Sequence, residues 1–331
     1  MFSKKPLVFC ISVLCLVVLL GLAGCKSNIP QDTKNYAITA GSDGNLWYTD
    51  NLSNKIGKIS PSTGSVTQYI IPTDSAYPIG IASGPDGNLW FTEDLANKIG
   101  KISPATGSFT EYNIINSVVA VDGITAGPDG NLWFTEYLAG NIGSISPSTS
   151  AVYEYPVPTA GSAPSGIVVG PDGNLWFTEL AGNKIGEISP ATHNITEYDI
   201  PTDAGAPDGI TTGPDGNLWF VEANGNKIGK ISPATGSITE YDVPTAGAGL
   251  GSIVAGPDGN LWFTETSGNK IGKISPTTGS ITEYKIPTSK AAPNRITAGP
   301  DGNLWFTQNV VSKIGKISPT DGKITEYRIP N

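Results

Sequence analysis

The chain has 331 residues, of which 41 are Gly and 26 Pro, about a fifth together and well above the ordinary share. Breakers at that density exclude helical bundles and coiled coils, while aromatic and β-branched residues are too plentiful for a disordered chain. Acidic residues outnumber basic ones 29 to 20, and only Arg295 and Arg328 are arginines, so no basic face exists for nucleic acid.

Lys4 and Lys5 precede an apolar stretch from Leu7 to Ala23 that closes on Leu22-Ala23-Gly24-Cys25. A basic start, an apolar centre and small residues before a cleavage point read as a secretory signal over 1–24. The ending resembles the bacterial lipoprotein box, which implies lipidation of Cys25. Residues 25–34 then form a short polar tether, and the expected location is extracytoplasmic, anchored to the membrane of a bacterial envelope. The rival reading, an uncleaved anchor helix, has an apolar run at the short limit for a span. Cysteines occur only at 10, 15 and 25, so disulfides and thiolate chemistry are excluded from the body.

The body, 35–331, is one unit written seven times. All seven tryptophans, at 47, 90, 133, 176, 219, 262 and 305, lie 43 residues apart. Around them recur Gly-Pro-Asp-Gly-Asn-Leu-Trp-Phe-Thr-Glu (Gly256 to Glu265), Asn-Lys-Ile-Gly-Lys-Ile-Ser-Pro (Asn269 to Pro276) and Ile-Thr-Glu-Tyr-x-Ile-Pro-Thr. In the fifth copy, turn signals divide the unit into strands Gly209 to Thr212, Asn217 to Glu222, Lys227 to Ser232 and Ile238 to Val243. Four short strands repeated every ~40–45 residues predict an all-β chain folded as a seven-bladed β-propeller. The last copy ends with its own fourth strand, so the ring is expected to close in phase, without strand exchange. A monomer is expected.

In such a ring the loops between second and third strands and between blades share one face, the top. The second strand ends there in Asp50, Glu93, Glu136, Glu179, Glu222, Glu265 or Gln308, followed five residues later by Lys55, Lys98, Asn141, Lys184, Lys227, Lys270 or Lys313. Two readings apply: an acidic ring for a metal, with Glu222 and Glu265 as candidate ligands, or a Glu–Lys pair repeated as structural support, which we favour because it recurs almost unchanged. The tryptophans read as core between blades.

Departures from the unit point to a site. The position five residues before the turn glycine reads Tyr36, Ile79, Asp122, Ser165, Asp208, Gly251 and Asn294, and these side chains should edge the channel mouth. Asp122, Asp208, Asn294, Arg295 and Gln308 are therefore the candidate ligand-binding residues.

The blade motifs closely resemble those of the streptogramin B (virginiamycin B) lyases over about 300 residues. The resemblance implies a seven-bladed propeller that opens a cyclic depsipeptide by elimination, with Mg²⁺ at the mouth, a histidine base in the top loops entering blades six and seven, and glutamates on the metal. The matching positions here are Gly251 and Asn294 for the histidines, and Ala292 and Gln308 among the acids. The single histidine, His193, falls in a turn expected on the bottom outer edge. The expected function is thus binding of a protein, glycan or peptide at the top face without catalysis. The alternatives are a Mg²⁺-dependent streptogramin-type lyase using Asp122 or Asp208 as base, and a metal-dependent, lactonase-like hydrolase.

Overall fold

A computed structural model describes residues 37–115 and 120–330. The expected signal segment, the expected tether with Cys25, and Tyr36 lie outside the described residues. Within them the chain folds as a seven-bladed β-propeller, with no helix and with each blade an antiparallel sheet of four strands in sequence order. Blades 1 to 7 occupy residues 38–70, 78–113, 121–156, 164–199, 207–242, 250–285 and 293–328. Every blade is contiguous in sequence, so among the described residues blades 7 and 1 meet without an exchanged strand.

The second strand of each blade is apolar on both faces because neighbouring blades cover it from two sides. In blade 5 this strand (Leu218–Glu222) is buried throughout, whereas the fourth (Ile238–Asp242) exposes Thr239 and Asp242 to solvent and half-buries the rest. Trp219 packs with Leu261, Phe263 and Ile274 of blade 6, the arrangement expected of an interblade core. Its indole is fixed from two directions: Nε1 donates to Asp215 Oδ1 at 2.9 Å in the first turn, and the ring stacks on Tyr241 at 5.6 Å. The Pro-Asp-Gly turn thus orients the core as well as reversing the chain. At the seam Trp305, Ile314 and Ile329 pack on Ile38, Leu46, Tyr48 and Ile59.

The first strand of blade 5 (Pro207–Thr212) begins two residues before the expected Gly209. The reason is a β-bulge between Pro207 and Ile210, repeated in blades 2 to 7, which places one extra residue at the channel end of the first strand. A threonine hydroxyl repairs the ladder. Thr135 Oγ1 accepts from Gly123 N–H at 2.9 Å and donates to the carbonyl of Ser165, in the next blade, at 2.7 Å. Thr92, Thr178 and Thr264 make the same bridge.

These pins draw the first strands so close around the axis that glycine is required beside them. A β-carbon at Gly80, Gly123 or Gly166 would lie 2.4 to 2.6 Å from a carbonyl oxygen of the next blade. Blades 6 and 7 carry Ser252 and Arg295 at this position instead, and both side chains line the channel.

Candidate functional site: the channel mouth

The mouth of the central channel is asymmetric although the ring is regular. Ser165, almost fully buried, donates through one hydroxyl shared between Asp122 Oδ2 (2.6 Å) and Asp208 Oδ1 (3.0 Å). Arg295 Nη1 reaches Asp208 Oδ1 at 3.4 Å and the carbonyl of Gly251 at 2.9 Å. Three blades and one guanidinium therefore form a single polar network across the axis. Burial pushes the Asp122 carboxyl above the usual carboxylate range. Arg295 and the Ser165 hydroxyl oppose the shift, and Asp208 adds to it.

One more acid belongs to this site. Asp94, in the top loop after the second strand of blade 2, is buried, and burial together with the charge of Asp122 raises its carboxyl to about 7. Nearby, Tyr77 is raised by burial and Asp94, and Tyr137 by burial and the two axial aspartates. The sequence signal for Asp94 was a second variable row, one residue beyond the recurrent glutamate (Asn51, Asp94, Tyr137, Leu180, Ala223, Thr266, Asn309).

Of the expected mouth residues, Asp122, Asp208 and Arg295 come together. Asn294 turns sideways: its side chain packs on Gly251, where a β-carbon would lie 2.9 Å from its Oδ1. Gln308 is fully buried at the end of its strand, opposite Pro293 and Lys313, and lies outside the channel lining.

The expected Glu–Lys support is corrected in its partners. Lys98 pairs with Glu111 of the fourth strand (3.4 Å), Lys227 with Glu240 (2.8 Å) and Lys313 with Glu326 (3.3 Å), not with the acid at the end of the second strand. The fourth-strand glutamate is the better partner because it also binds the interblade loop, as Glu111 does with Thr73 N and Oγ1. The second-strand acid is left fully buried against it. Burial raises Glu93 and Glu179 to about 8 and Glu136, Glu222 and Glu265 to about 7, reinforced in each case by the neighbouring glutamate.

A divalent ion does not fit these donors. Glu222 and Glu265 face Glu240 and Glu283 inside their own blades, and the axial aspartates are already spanned by Ser165 and Arg295. Among the described residues no group of three or more His, Cys, Asp or Glu side chains is placed to hold a metal.

His193 lies in the turn between the third and fourth strands of blade 4, on the bottom outer edge as expected. It stacks on Tyr155 of blade 3 with ring centroids 4.4 Å apart.

The model of the virginiamycin B lyase family matches residues 26–248 and 233–331. This chain belongs to that family. A solved streptogramin B lyase is 43% identical, with a TM-score of 0.81, over 87% of this chain and 94% of its own. A catalytically inactive histidine-to-alanine variant of the Staphylococcus aureus virginiamycin B lyase, with quinupristin, matches at 43% identity and a TM-score of 0.81, over 87% and 96%. Hydrazine synthase of Kuenenia stuttgartiensis, 13% identical with a TM-score of 0.68 over 93% and 99%, shares the fold alone. A search of curated proteins found no match. In this member of the virginiamycin B lyase family the mouth is formed by aspartates, serine and arginine.

Proposed function

We propose that this member of the virginiamycin B lyase family binds a peptide, glycan or protein ligand at its top face without opening a depsipeptide ring. One observation carries the proposal: the chain's single imidazole is on the opposite face, while a relative loses catalysis when one histidine becomes alanine. At Gly251, one of the positions matching the family's base, the carbonyl is bound by Arg295 and Asn294 fills the adjacent space. A buried acid–hydroxyl–guanidinium network is suited to orienting a polar ligand, since its groups are held in place before the ligand arrives. The test is incubation of the purified chain with a cyclic streptogramin B and Mg²⁺, followed by chromatography and mass spectrometry. The ring should stay intact. A ring-opened product of unchanged mass overturns the proposal in favour of elimination, and one heavier by a water in favour of hydrolysis.

A second reading has one observation in its favour. The raised carboxyl of Asp122 would be a stronger base than an ordinary aspartate for a proton α to a carbonyl. On that reading turnover exists, rises with pH through the raised value of Asp122, and drops at least about a hundredfold in Asp122→Asn.

We also infer that the chain is a lipid-anchored envelope protein, from the segment ending in Cys25. Cys25→Ser should move it from the detergent phase to the aqueous phase on Triton X-114 partitioning; retention in the detergent phase would favour an uncleaved helix.

A further inference from the structure

On the bottom face three departures from the repeat converge on one cleft. In blades 1, 2, 5, 6 and 7 a lysine of the third strand (Lys58, Lys101, Lys230, Lys273, Lys316) holds its ammonium 5.0 to 5.3 Å from the centre of the blade's own tryptophan. Four of these ammonium groups also stand 3.6 to 3.8 Å from the aspartate that anchors the indole. The unit thus contains a seat for a cation, made of an indole, a tyrosine and a carboxylate, and ordinarily fills it with its own side chain.

In blade 4 the lysine is replaced by Glu187, which is engaged by Tyr198 and Asn174. Blade 3 instead has Ser144, small and buried, so nothing from the third strand reaches over Trp133. The anchoring geometry is intact: Trp133 Nε1 donates to Asp129 Oδ1 at 3.1 Å, and the indole stacks on Tyr155 at 5.6 Å. The result is a cleft of about 300 Å³ lined by Asp129, Trp133, Ser144, Tyr153, Tyr155 and His193.

Two further substitutions enlarge its aromatic wall. Directly across the ladder from Ser144, Tyr153 stands where all six other blades have threonine, and its ring is more than half exposed. His193 occupies a turn position that is glycine in five other blades and serine in one. It keeps the left-handed backbone, at φ 60°, that favours glycine there, and places its imidazole flat on Tyr155. Loss of the lysine alone would be ordinary drift. Loss of the lysine together with two new rings at the same cleft is a coherent change of use.

We propose that this cleft binds an organic cation, an alkylammonium or quaternary ammonium group, which takes the place that the lysine ammonium holds in the five sister blades. The aromatic walls supply the faces that attract such a cation, and Asp129 supplies the opposite charge.

The test is saturation-transfer NMR at about pH 8 on the purified chain with choline, with N-acetyl-lysine methylamide, and with 3,3-dimethylbutan-1-ol, the neutral isostere of choline. At least one cation should bind in millimolar titrations, more tightly than the alcohol by tenfold or more, and comparison of the two cations separates a quaternary from a primary ammonium site. The decisive variant is Ser144→Lys, which copies the sister blades and so fits the fold; it should abolish binding. Tyr153→Thr and His193→Gly, also copies of sister blades, should each weaken it severalfold. Equal binding of choline and its isostere, binding that survives Ser144→Lys, preference for a neutral sugar, or no binding by either cation would each overturn the proposal.

Discussion

Arg295 stands where the repeat departs from its pattern twice. Four blades need glycine where Arg295 stands, because the next first strand passes too close for a β-carbon. In addition, Val221 replaces the threonine whose hydroxyl would donate to the carbonyl of Gly251, and Arg295 supplies the donor in its stead. A buried carbonyl that loses a side-chain donor costs about 1–3 kcal/mol. Arg295→Ala should therefore destabilise the chain by about that amount. The cost should be smaller by roughly 1 kcal/mol in a Val221→Thr background, where the hydroxyl bridge is restored. Denaturant unfolding of the four proteins in the cycle measures this coupling, and additive effects would show that the two donors do not substitute for one another.

At the scale of the blade, the paired glutamates make stability depend on pH in a stated direction. Glu93 and Glu179 titrate near 8, and Glu136, Glu222 and Glu265 near 7, all above the ordinary 4.5. A carboxyl raised in the folded state binds its proton more tightly there than in the unfolded chain. Its contribution is fully present below about pH 4.5 and is lost as pH rises through 7 to 8. The fourth-strand partners Glu240, Glu283 and Glu326 act oppositely. Although burial opposes it, hydrogen bonds from lysine and threonine hold them below 4.5, and their contribution is lost as pH falls through those lowered values. Melting temperature should thus be higher near about pH 6 than near about pH 9. Glu93→Gln should narrow that gap, by about 1 kcal/mol or more at the alkaline end, because an amide has no proton to lose. The molecule already contains this relief: blade 7 has Gln308 beside Glu326, and blade 1 has Gln68 where the others have glutamate.

For the whole ring, closure without an exchanged strand among the described residues means that the seam must be as well packed as any other interface. An open array has weaker ends, whereas a closed ring has none. Trp305→Ala, at the seam, should cost about 3–5 kcal/mol, within about 1 kcal/mol of Trp262→Ala at an interior interface. Chemical denaturation with a single transition for both variants would support an equivalent seam. A markedly smaller cost at Trp305 would mean that blades 1 and 7 are coupled more loosely than the rest.

The regularity of the unit made the fold legible in the sequence. A 43-residue spacing of tryptophans, turn chemistry at fixed offsets and a second strand apolar on both faces leave one architecture, because each sheet can bury those faces only against its neighbours. The location of His193 followed from the same register, since a position within the unit fixes which end of the blade it occupies. The row of Lys58, Lys101, Ser144, Glu187, Lys230, Lys273 and Lys316 was equally visible, but its meaning required knowing that its lysines lie over the indoles.

What the sequence could not supply was partnership across the ring. The second-strand acid and Lys98 or its equivalents are directly opposed in the ladder, yet the lysine chooses Glu111, 13 residues away, because that carboxylate also holds the interblade loop. At the axis, Asp122, Ser165 and Asp208 are 43 residues apart in turn, and Arg295 is 87 beyond Asp208. The amino-acid sequence by itself determined seven equivalent blades and a mouth without histidine, since both follow from the repeat and its register. Only the tertiary structure decided which departures meet, because radial closure brings to one axis residues that the chain keeps whole blades apart.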